Sequence, residues 1–233
     1  MSQSLSLTEQ QLQAVVQQQH LRASVIRHDE LPGAVRTVAG VDVAYAKAEN
    51  RLVAAVTVLD AQTLELLRVE SYVGQATFPY IPGLFSFREL PAVLEVLKKL
   101  PTLPDLLVCD GQGLAHPRRF GLACHVGVAT GIPTIGCAKT RLLGDFEPLG
   151  PNRRDYQNLL DNGEVIGRAV RTQTGKNPVF VSVGHKVSLE TATEWVLHLA
   201  PTYRLPETTR AADHAVNALL RAENAANGEA PGT

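Results

Sequence analysis

Acidic side chains in apolar surroundings are the part of this sequence best placed to do chemistry. Asp42 lies inside Ala39-Gly40-Val41-Asp42-Val43-Ala44-Tyr45. Strand alternation sets Gly40, Asp42 and Ala44 on one face, a carboxylate flanked by side chains small enough to let a bulky ligand approach the sheet. Such a group is costly in mid-strand unless it is paired, solvated or bound to a cation. Asp110 follows Leu106-Leu107-Val108-Cys109 and directly precedes Gly111. That is the C-terminal edge of a buried strand, where α/β sheets collect ligands, although an Asp before Gly also makes turns. Glu89 ends Ser86-Phe87-Arg88-Glu89, whose spacing is that of a capping box, so its bland role is to accept from a backbone amide. Asp213 and His214 lie on the last helix, where Arg210, Asp213 or His214, and Asn217 fall on one polar stripe, and solvent alone would explain them.

Three carboxylates on separate elements cannot stay close together ionised without a cation. Hard oxygen donors with few His or Cys suit Mg²⁺ or Mn²⁺. A metal held between carboxylates activates water and neutralises a leaving oxygen, which is phosphate chemistry. A second feature is Phe78-Pro79-Tyr80-Ile81-Pro82-Gly83, where two prolines and a glycine stiffen a loop carrying an aromatic ring and a branched apolar side chain. Such a loop fits a wedge that enters a base step, or a turn that packs on the core. Familiar alternatives fail on single residues. Gly111-Gln112-Gly113 has His116 where a dinucleotide fingerprint needs Gly, Ser182 has Phe180 where a nucleophile elbow needs Gly, and no P-loop precedes Lys139.

The elements that must hold these residues follow from periodicity. A helix is predicted over 8–22, starting at the box Thr8-Glu9-Gln10-Gln11 with Leu12, Val15 and Val16 as its apolar stripe. Strands at 38–45, 52–59 and 67–73 make an antiparallel meander. Helical spacing at Val93 to Leu100 is followed by strand 106–109, a helix from Pro117 to near Gly131 and a strand at 132–137, a β-α-β crossover. Strands at 164–171 and 179–183 and helices at 188–199 and 207–221 complete a single domain over 1–222, with a flexible tail from 223 to 233. The expected fold is α/β: a mixed sheet, antiparallel meander then parallel strands, flanked by helices.

Composition bounds the function classes. The 233 residues are 45% hydrophobic and 19% charged, which excludes a disordered chain, and no apolar run approaches a membrane span. The start reads as no secretory signal, so the expectation is cytoplasmic, with Cys109, Cys124 and Cys137 as buried free thiols. A net charge of −1 argues against coating nucleic acid by bulk charge. Between Gly111 and Gly144, however, Arg118, Arg119, Lys139 and Arg141 occur with no acidic residue.

Val38-Ala39-Gly40-Val41-Asp42-Val43-Ala44-Tyr45, Pro79-Tyr80-Ile81-Pro82-Gly83-Leu84, Phe87-Arg88-Glu89, Cys109-Asp110-Gly111-Gln112-Gly113, His116-Pro117-Arg118-Arg119, Gly136-Cys137-Ala138-Lys139-Thr140, Val183-Gly184-His185 and Ala212-Asp213-His214 resemble, in this order, the motifs of endonuclease V. The resemblance implies an RNase H-like fold and a Mg²⁺-dependent repair nuclease, Mn²⁺ substituting, that recognises deaminated purine, chiefly deoxyinosine, in DNA. It implies a nick at the second phosphodiester 3′ to the lesion. Asp42 and Asp110 would be metal ligands, Glu89 would complete the acidic site, His214, near Asp213, would position water or an outer-sphere ligand, and Lys139 would stabilise phosphate charge. Tyr80 with Pro79 and Ile81 would be the wedge. Gly111 and Gly113 would offer backbone to the base, and Arg118 and Lys139 would contact nucleic acid. The chain is expected to act as a monomer, with inosine-containing RNA left open as a second substrate. A junction-resolvase-like nuclease on the same fold and a non-catalytic binder of damaged nucleic acid are the competing readings.

Overall fold

The computed structural model describes residues 8–46 and 50–226. Eight strands form one mixed sheet: β1 (Thr37–Tyr45), β2 (Arg51–Asp60), β3 (Leu66–Gln75), β4 (Leu106–Cys109), β5 (Thr134–Ala138), β6 (Tyr156–Asp161), β7 (Glu164–Val170) and β8 (Val179–His185), in the order β3-β2-β1-β4-β5-β8-β7-β6. The first three form the expected antiparallel meander, β4 and β5 join it in parallel with β1, and β8, β7 and β6 extend it antiparallel. The helices are α1 (Glu9–Leu21), α2 (Phe85–Leu97), α3 (Leu122–Thr130), α4 (Leu189–Leu199) and α5 (Glu207–Ala226).

The buried strands β1 and β4 carry apolar side chains on both faces. Val38, Leu106 and Val108 join a core with Val196 and Leu197 of α4, and Ala39, Val41 and Leu107 join another with Val93 and Val96 of α2. All three cysteines are free and buried. Burial pushes the Cys124 and Cys137 thiols up to about 12, so they pack rather than react.

Four expectations change, and one strand is new. The capping box Thr8–Gln11 does start α1, yet Leu12 and Val16 are exposed, and the helix buries Ala14 and Gln18 instead. Helix α2 begins eight residues before Val93, and Ser86–Glu89 is no capping box. Buried Leu84 occupies the cap without a side-chain bond, and Ser86 points to His125 Nδ1 at 3.1 Å. Helix α3 starts at Leu122 rather than Pro117, because Arg119 takes a positive φ of 56° and pairs with Asp161 and Glu164; Gly131 ends the helix as expected. Strand β6 had no sequence signal, since it needs only one fully buried side chain, Leu159. Helix α5 continues to Ala226, past the expected tail start, with Glu223 paired to Arg51 at 3.2 Å; the rest of that tail, 227–233, lies outside the described residues.

Candidate active site

The parallel register of β1 and β4 ends at Val41 opposite Cys109. The next residue in each segment is an aspartate, so Asp42, still paired with Ala55 of β2, and Asp110, just past the end of β4, come side by side where the parallel pairing ends. Strand β5 pairs Gly136 with Cys109, which carries Lys139, one residue past that strand, to the same place. Lys139 Nζ lies 2.6 Å from Asp110 Oδ2 and 3.8 Å from Asp213 Oδ1 of α5. Burial opposes its charge, but the bond to Asp110 and the surrounding carboxylates hold Lys139 above its ordinary value. Gly40 is small for a reason other than ligand access: a Cβ there would stand 2.1 Å from the Thr208 carbonyl of α5.

Among the described residues Asp42 has no ion-pair partner, and its Oδ1 accepts only from Val43 N at 2.9 Å. Burial, and then the adjacent Asp110 carboxylate, push it up to about 6. Glu89 enters from α2, is 4% exposed, and is pushed up to about 8 by burial and then by Asp42. Its partner is a side chain rather than a backbone amide, for Tyr45 Oη donates to Glu89 Oε1 at 3.2 Å. Tyr45 is itself raised by burial and by that carboxylate. Arg88 lies over the Tyr45 ring at 4.7 Å and donates to the Phe78 carbonyl at 2.6 Å, tying the acidic site to the base of the Tyr80 loop.

The described side chains do not already converge as three ligands on one point. The donor set nevertheless fits a hard cation. Adjacent aspartates of which only Asp110 is ion-paired among the described residues, and a glutamate pushed up to about 8 by burial and Asp42, are what a divalent ion would relieve.

Beside the acidic edge is a cavity of about 470 Å³, with Tyr80, Phe85, Gly111, Leu122 and Leu142 among its lining residues, and with Asp110 and Lys139 where it meets the acidic edge. Tyr80 is 69% exposed and meets Phe85 edge-on at 5.9 Å, with Pro79 exposed beside it. Ile81 turns the other way and packs on Ala14, Phe78 and Leu84, so it anchors the loop instead of projecting from it. Gly111 lines the cavity, whereas Gly113 is pressed against β8, where a Cβ would sit 2.0 Å from the Val183 carbonyl and its N–H donates to Ser182 Oγ at 2.9 Å. Arg118 is committed to Gln18 and Gly83. His214 is exposed and, among the described residues, has no hydrogen bond or ion pair; Asp213 is the residue of that helix that reaches the cluster.

Sequence reasoning assigned no role to Tyr45, Phe85 or Leu142. The first was visible only as the outward end of an alternating strand, and the other two as single apolar residues with no spacing to mark them.

This arrangement has counterparts. A sequence profile of endonuclease V matches residues 19–214. The endonuclease V of Nocardia farcinica is 54% identical over 210 residues, 90% of this chain and 92% of that protein. The crystal structure of the Streptomyces avermitilis endonuclease V superposes with a TM-score of 0.87 at 47% identity, covering 96% of this chain and 98% of that one. The Ciona intestinalis endonuclease V, solved in complex with a DNA containing an inosine followed by a ribo-adenosine, gives a TM-score of 0.82 at 28% identity over 92% and 99% of the two chains. With a family profile spanning most of the chain and a relative 54% identical over 210 residues, this protein belongs to the endonuclease V family.

Proposed function

We propose that this endonuclease nicks one strand of DNA beside a deaminated purine, chiefly deoxyinosine, at the second phosphodiester on its 3′ side. The observation that carries this reading is the pairing of Asp42 and Asp110 at the mouth of a cavity capped by an exposed tyrosine on a proline-stiffened loop. The cavity falls within the range of roughly 300–1,000 Å³ common for small-ligand sites, so a flipped base is a sensible occupant. The Ciona relative's complex with inosine-containing DNA supports the choice of base.

Asp42 and Asp110 would hold Mg²⁺, or Mn²⁺ in its place, with Glu89 completing the acidic set. When bound, the ion would supply Lewis-acid activation of water and charge neutralisation at the scissile phosphate. Lys139, bonded to Asp110, would stabilise the phosphate, and Asp213, near Lys139, with His214 would orient water from α5. Tyr80 and Pro79 would fill the gap left by the extruded base while Gly111 backs the cavity. The protein is taken to act as a monomer in the cytoplasm.

The test is cleavage of a labelled duplex with one deoxyinosine against its undamaged control, in Mg²⁺ and in EDTA. A single Mg²⁺-dependent nick one bond beyond the inosine's own 3′ phosphodiester, absent from the control, is the expected result. Binding without turnover would favour a non-catalytic reader, and preference for branched DNA a junction nuclease. An otherwise identical duplex with a ribonucleotide 3′ to the inosine, and inosine-containing RNA, measure how far the substrate range extends.

A further inference from the structure

Gln18 is a fully buried amide on a helix whose Leu12 and Val16 face solvent. Its burial is matched by its bonds. Nε2 donates to the carbonyls of Gly83 and Phe120, both at 3.1 Å, and Oε1 accepts from Arg118 Nε at 2.5 Å. Arg118 Nη2 donates to the same Gly83 carbonyl. An amide with both donors used on backbone and its acceptor on a guanidinium is a connector between chain segments, since packing alone would be served by an apolar side chain.

The two carbonyls belong to two chain segments that contribute to the lining of the cavity. Gly83, at a φ of +78°, closes the Pro79–Pro82 loop, and a Cβ there would stand 2.7 Å from Arg118 Nη2. Phe120 leads into Gly121 and Leu122, which line the cavity at the start of α3. We propose that Gln18, together with Arg118, is a positioning clamp behind the cavity that fixes the Tyr80 loop against the start of α3 and so sets lesion selectivity without touching DNA. The inference rests on the proposed function above. It also gives Arg118 a role through Gly83 instead of through phosphate.

The test compares wild type, Gln18→Met, Arg118→Met and the double variant on the deoxyinosine duplex and its control. The readouts are kcat, KM, melting temperature and the salt dependence of binding. Each single variant should raise KM for the deoxyinosine duplex roughly tenfold, with kcat within about twofold, and should lower the preference over the control by the same factor as KM. The double variant should be no worse than either single, because one clamp is broken once. The salt slope of Arg118→Met should equal that of wild type, whereas a lost phosphate contact would reduce it by about one.

A folded Gln18→Met protein with unchanged KM and preference overturns the clamp, as does a loss confined to kcat or a reduced salt slope in Arg118→Met. If Gln18→Met does not fold at the assay temperature, Arg118→Met, altered at a half-buried position, is judged by the same criteria. A wild type that ignores inosine defeats the functional reading itself. A selective wild type with indifferent variants defeats only the clamp.

Discussion

The acidic pair Asp42 and Asp110 stands on hydrogen-bonded strands, whereas the loop of Tyr80 is tied to the rest of the protein chiefly by side chains. Asp42 and Asp110 inherit their spacing from the parallel register of β1 and β4, which a surface substitution cannot shift. The loop is held by Arg88 on the Phe78 carbonyl at one end and by Gln18 and Arg118 on Gly83 at the other, with Ile81 as its apolar anchor. Groups whose charges sit at fixed distances are built on the sheet, and the group proposed to meet DNA is built on a loop whose position a few bonds can tune.

The sharpest way to break this contrast is at the acidic pair. Asp42→Asn or Asp110→Asn should lower kcat by roughly a thousandfold or more, without loss of the fold, and EDTA should do the same to wild type. Steady-state cleavage with parallel melting curves checks it, and full activity in either variant would remove the carboxylate from the mechanism.

The next largest effect is structural. A Cβ at Gly136 would stand 2.4 Å from Gly113 N, where the 110–114 segment crosses β5. Gly136→Ala should therefore destabilise by about 1–3 kcal/mol and displace Gly111, so denaturant melts and cleavage should fall together. On the loop, Tyr80→Ala should reduce the preference for inosine over adenosine about tenfold while the melting temperature holds. An unchanged preference would refute the wedge.

A smaller, pH-dependent effect separates the acidic site from the loop in the cation-free protein. Glu89 at about 8 and Asp42 at about 6 bind protons in the folded state that the unfolded chain, at the ordinary 4.5 and 3.8, has released. Stability therefore falls as pH rises through these windows. Glu89→Gln should flatten the upper part of that fall. Mg²⁺ should raise the melting temperature more at about pH 8 than at about pH 5, because it favours the ionised carboxylates. Tyr80→Ala should leave the profile unchanged. Smallest of all, Leu12→Ser and Val16→Ser should alter stability by no more than about 0.5 kcal/mol, since both side chains are already exposed.

Much of the acidic site was legible in the sequence. A carboxylate inside an apolar run is costly anywhere, so Asp42 and Asp110 mark themselves locally. Glu89 was harder, because four residues at capping-box spacing look alike whether they open a helix or, as here, lie one turn inside it. The glycines misled for a related reason: spacing shows that a backbone must come close, and only the fold shows that Gly40 meets α5 and Gly113 meets β8 instead of a ligand. Arg118 read as a cation free for phosphate because its partners are 35 and 100 residues away.

The sequence by itself determined the elements whose periodicity is local: the meander, the buried strand before Asp110, the free cysteines, and the acidic and proline-bearing segments. The tertiary structure alone decided which apolar stripe of α1 is buried, that Tyr45 serves Glu89, that Ile81 points inward, and that Gln18 joins the Tyr80 loop to the segment leading into α3. Those outcomes depend on hydrogen bonds and packing between residues tens of positions apart, whose energies no local pattern encodes.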